Sequence, residues 1–60
     1  MTKYDVAFGQ LIEENELDWW EILENEAFIG QMAEKTNQTV DEITNDPVFD
    51  KWHTMACQEL

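Results

Sequence analysis

Apolar residues in the first quarter of the chain recur as Tyr4, Ala7, Phe8, Leu11 and Ile12. This i, i+3, i+4, i+7, i+8 spacing marks one face of a helix. Thr2, with Asp5 three residues later, supplies a capping box at its start. Gly9 points away from that face and weakens the helix by up to ~1 kcal/mol relative to Ala. The pattern fades at Glu13–Asn15. A second helix opens at Asp18, with Glu21 in its first turn, where the helix dipole favours acid. At about 100° per residue, Trp20, Leu23 and Ala27 line up with Trp19 at a margin. Both tryptophans therefore fit on one core-facing side, one at each edge.

Phe28, Ile29, Met32 and Ala33 form a further face, rotated from that one. In a single straight helix over 18–36, Phe28 and Met32 would share the side of Glu21 and Glu24. A break or bend near Asn25, a residue able to cap a new helix, removes the conflict. The alternative is a continuous helix with Phe28 and Met32 exposed and sticky. The polar run Lys35-Thr36-Asn37-Gln38 reads as a turn. Thr39-Val40-Asp41-Glu42 is a second capping box and opens a short helix carrying Val40 and Ile43. Asp46-Pro47 pairs an N-cap residue with proline at the first helical position. The last helix then presents Phe49, Trp52, Ala56 and Leu60, with His53 and Cys57 near the edge of that face. No strand, internal repeat or low-complexity tract is visible. The predicted fold is all-α: one domain over 1–60, a small compact bundle of three to five short helices with no sheet.

Size and composition refine this picture. A 60-residue chain buries only about 60% of the surface its unfolded form exposes, so its stability is marginal. A hydrophobic fraction of 43% that includes seven aromatics marks it as globular, not disordered. Charge is the outstanding feature. Fourteen Asp and Glu stand against three Lys and no Arg, a formal net charge of −11. Binding to nucleic acid requires Lys and Arg to neutralise phosphates, so direct nucleic-acid binding is excluded. An anionic membrane surface would repel the chain for the same reason. The stretch "MAEKTNQTVDEI" loosely resembles a helix-turn-helix, but its would-be recognition helix, "VDEITND", carries three acids and no base. Partners are expected to be basic.

Cys57 is the only cysteine, so no internal disulfide forms, which fits a reducing cytoplasm. There is no basic n-region followed by an apolar h-region, and no apolar run near 18 residues. Without a secretory signal the Asn37-Gln38-Thr39 sequon carries no meaning. A start at Met1 with no tag predicts a complete small gene product.

The candidates for chemistry are few. His53 and Cys57 sit at i, i+4, but a Cys–His nucleophile also needs a pocket and oxyanion donors, for which so small a bundle has little room. The same pair supplies two of the four ligands zinc requires. "EENELD" lacks the central glycine and the full spacing of a calcium loop. Neither catalysis, nor a cofactor, nor a metal is expected.

The acidic run remains: Glu13, Glu14, Glu16, Asp18, Glu21, Glu24 and Glu26 place seven carboxylates in fourteen residues with no base among them. Helical neighbours at i+3 and i+4 lie ~5–6 Å apart at Cβ, so a row such as Asp18–Glu21–Glu24 resembles a track of phosphates. Carboxylates also pair with the Arg forks that read phosphates. Trp19 and Trp20, rimmed by Glu16 and Glu21, suit an interface anchor with steering charges around it.

The expected function is that of a non-enzymatic, cytoplasmic interaction protein. It would bind the basic surface of a nucleic-acid-binding or transcription protein as a nucleic-acid-mimicking inhibitor or modulator. By analogy only, phages encode small acidic products of this kind against host machinery. The partner-binding set comprises the seven acids with Trp19, Trp20, Phe28 and Met32. Two other readings stay open. The run is also what an ordinary solvated face looks like. Alternatively, the chain is a structural or assembly subunit, a homodimer joined through a patch of Phe28, Met32, Trp19 and Trp20 that is buried on association.

Overall fold

The computed structural model describes residues 2–59, folded as five helices. They are α1 (Lys3–Asn15), α2 (Trp19–Glu24), α3 (Phe28–Lys35), α4 (Val40–Thr44) and α5 (Pro47–Gln58). No strand occurs among the described residues. The architecture is the small all-α bundle that the sequence predicts. Local chemistry sets most of the boundaries. Thr2 Oγ1 accepts from the Tyr4 N–H at 3.2 Å while Asp5 accepts from the Thr2 N–H at 2.7 Å. Thr39 and Glu42 reciprocate in the same way at 3.1 and 2.9 Å. Asp46 accepts from the Val48 N–H at 2.9 Å, with Pro47 opening α5. α1 stops at Glu16, which takes the left-handed conformation (φ 54°) usually left to glycine.

The chain does break at Asn25. Its backbone leaves the helical region at ψ 128°, and its side-chain oxygen accepts from the Ala27 N–H at 2.8 Å. The Phe28 N–H then donates to the Asn25 carbonyl at 3.0 Å. Asn25 thus closes α2 and turns the chain, while the N-cap of α3 falls on Ala27 without a side-chain hydrogen bond. This turn lets α3 aim a new side at the core, where Phe28, Met32 and Ala33 are buried to 3%, 0% and 2% exposure. Two expectations are corrected here. Phe28 and Met32, assigned to the partner-binding patch, belong to the core, because the break frees them from the side of Glu21 and Glu24. Trp20, Leu23 and Ala27 do not form the inward side of α2. That side is centred on fully buried Ile22, with Trp19 and Leu23 partly buried and Ala27 exposed beyond the helix end. Trp20 lies about 160° around the helix from Ile22 and is 44% exposed.

Aromatic rings fill the centre. Tyr4 meets Phe49 edge-on at 5.1 Å, Phe8 meets Trp52 at 5.3 Å, and Phe28 meets Phe8 at 6.0 Å, all spacings at which such rings attract. Polar groups pin the cluster at its rim. The Trp52 indole N–H donates to Asp5 Oδ1 at 3.1 Å, joining α5 to α1. The hydroxyl of fully buried Tyr4 donates to Asp46 and lies 3.1 Å from Gln38 Oε1, to which Thr36 also donates at 2.7 Å. One phenol therefore ties α1 to the 36–39 turn and to the start of α5.

These bonds shift the acidities involved. Burial, then the hydrogen bond to Asp46, pushes the Tyr4 hydroxyl above its ordinary value. The Tyr4 hydroxyl and the Val48 N–H hold Asp46 below the usual carboxylate range. The Thr2 backbone N–H, helped by the Thr2 hydroxyl and the Trp52 indole, does the same for Asp5. A raised folded-state value gives stability that is present below the ordinary tyrosine pKa of about 10 and lost as pH rises through the folded value. Depressed carboxylates give stability that is present above about pH 4 and lost as pH falls further. Tyr4→Phe keeps the ring but removes the donor, so it is expected to cost about 1–2 kcal/mol at neutral pH. It should also flatten the loss of stability above pH ~10, as read by thermal melts across pH.

Candidate functional site

The seven acids of the run occupy three successive pieces of chain. Glu13 and Glu14 lie in the last turn of α1 and Glu16 is its cap. Asp18 precedes α2 without making a side-chain cap bond, Glu21 and Glu24 lie in α2, and Glu26 sits in the turn before α3. All are exposed except Glu21, which is partly buried. Within α2, Trp20 and Glu24 are i, i+4 neighbours and Glu21 and Glu24 are i, i+3 neighbours, so an exposed indole stands beside Glu24, with Glu21 on the far side of that carboxylate. Trp19, turned inward, has left this solvent side. The run is also not free of base, because Lys35 of α3 pairs with Glu14. That partner lies 21 positions away in sequence, beyond the reach of a local reading. Six carboxylates, led by Glu24 beside Trp20 and its i−3 neighbour Glu21, remain as the candidate docking surface among the described residues.

So large a net charge makes the folded chain repel itself, and salt screens that repulsion. Raising NaCl from about 0.02 M to about 0.5 M is therefore expected to raise the melting temperature by several degrees. A chain stabilised mainly by surface ion pairs would melt lower in the higher salt.

A second surface feature is a groove of about 840 Å³ between α1 and α5. These helices meet through ring side chains, not through close backbone approach. Phe8 and Trp52 line the groove between the two helices, Trp19 borders it, and Val48 and Met55 of α5 line it while 50% and 59% exposed. The sequence reading missed this surface. Its signal was the i, i+4, i+7 spacing of Val48, Trp52 and Met55, masked by the stronger inward series that shares Trp52.

His53 and Cys57 do meet, with Sγ and Nε2 3.5 Å apart. The imidazole lies flat on Phe49 at 5.5 Å and an interplanar angle of 8°, packed as an edge of the ring cluster. Among the described residues, no group of three or more His, Cys, Asp or Glu comes together in a way that could hold a metal ion. No described helix is long and apolar enough to cross a membrane. Comparison with models of known families, with curated proteins and with solved structures returns no match.

Proposed function

We propose that this protein is a non-catalytic docking protein whose α1–α2 end binds a basic surface of another protein. Nucleic-acid-binding and transcription proteins are the natural class, because their Arg and Lys side chains already donate to rows of anionic oxygens. The observation that carries the reading is the exposed Trp20 standing beside Glu24, next to Glu21, within a run of carboxylates mostly unpaired among the described residues. A large ring offers the apolar anchor that dominates many interfaces, and the charges around it steer encounter. The four-residue apolar patch of the homodimer reading is not assembled, since two of its members lie in the core.

The test is affinity capture from a host lysate in about 0.05 M and about 0.5 M salt, using the wild-type chain and the double variant Glu21→Lys/Glu24→Lys. Basic proteins are expected on the wild type at low salt, with far less at high salt and on the variant. Retention that ignores both salt and charge reversal would overturn the proposal.

A further inference from the structure

We infer that the α1–α5 groove is a second contact for the same kind of partner, and that its occupant is a cationic amphipathic helix. The inference rests on the reading that the partner is basic. Val48, Trp52 and Met55 follow one another at i, i+4 and i+7 along α5, all lining the groove, with Glu59 just past the helix end. This is the a/d seam that one helix presents to another. From Val48 to Met55 the apolar seam rises about 10 Å, some two helical turns, which suits a helix laid in a groove by its own i, i+3/i+4, i+7 anchors.

Charge selects the occupant. The groove is rimmed by Asp5 and Glu59 against the single Lys51. Asp5 stays ionised, held by the Thr2 and Trp52 donors. Trp19 forms one border, and Asp18, the acidic residue that precedes α2, adjoins it in sequence. A second copy of this chain would bring another net charge of −11 to the contact, and an anionic lipid surface would be repelled likewise. A helix with Leu or Met on one side and Lys or Arg on the other satisfies both the apolar seam and its acidic surroundings.

The experiment uses the full-length chain, isotope-labelled for NMR, and three synthetic helical peptides of about four turns. One carries Leu at a and d positions with Lys elsewhere, one has those Leu replaced by Gln, and one has the Lys replaced by Glu. The Leu–Lys peptide is expected to move the Trp52 indole N–H and Met55 methyl signals and to bind at least ~10-fold tighter than the Gln–Lys peptide at equal salt. Met55→Gln, a neutral change at an exposed position, is expected to erase that difference. Glu21→Lys/Glu24→Lys is expected to weaken both cationic peptides alike.

Equal affinity for the Leu–Lys and Gln–Lys peptides, with shifts confined to residues 13–26, would overturn the groove while leaving the acidic docking reading intact. Equal binding of the Leu–Glu peptide would overturn the cationic occupant. Signals of Met55 that move with protein concentration alone, together with a dimer in sedimentation, would assign the groove to a second copy instead.

Discussion

Replacing Phe28 with Ala is expected to leave the chain largely unfolded or close to it at 25 °C. The ring is 3% exposed and touches Phe8, Phe49, Trp52 and His53 with centroids 5.6–6.4 Å away. Truncating a buried Phe costs about 3–5 kcal/mol, through lost transfer energy and the cavity left behind. A domain of this size holds only about 3–9 kcal/mol in total, so one side chain carries a large share of the fold. Urea unfolding followed by circular dichroism measures the loss. A wild-type midpoint in Phe28→Ala would mean that Phe28 lies outside the core and that α2 and α3 are not turned apart at Asn25.

Trp20→Ala is expected to behave in the opposite way. The indole is 44% exposed and lies on the side of α2 away from Ile22. Removing it is expected to change stability by no more than about 0.5 kcal/mol, as at ordinary surface positions. Affinity for a captured basic partner is expected to fall ~30-fold or more, the ~2 kcal/mol typical of an interface anchor. Titration of that partner into both proteins, beside their melting curves, reads the two effects separately. Unchanged affinity would remove Trp20 from the contact. A large drop in melting temperature would place it in the core instead.

Residues whose effects are local were legible from the sequence. Thr2–Asp5, Thr39–Glu42 and Asp46–Pro47 mark helix starts because each motif satisfies its own orphan backbone donors, or has none to satisfy, within a few residues. The turn at Asn25 was legible because Phe28 and Met32 fall out of phase with Leu23. The direction of the two tryptophans was not. A six-residue helix offers overlapping apolar sides, one through Trp20 and Leu23 and another through Trp19, Ile22 and Leu23. The choice between them depends on packing against α1 and α3, which periodicity cannot supply. The Glu14–Lys35 pair and the Tyr4–Asp46 bond lay out of reach for the same reason, being joined by the fold and not by spacing. At the candidate docking surface the acids could be read from composition. Which apolar residues stand beside them could not.

α2 has consequences beyond its position. It is six residues long, its N-cap makes no side-chain bond, and Ile22 alone among its side chains is buried. An isolated helix of this length is unstable in water, so tertiary contact maintains it. Such segments open locally at a small fraction of the global unfolding cost. On the proposed reading, the end of the molecule that meets a partner is then one lightly held by its own architecture. A segment of this kind loosens and re-forms while the ring cluster behind it stays intact, and under the proposed docking role that would let one short chain fit more than one shape of basic surface.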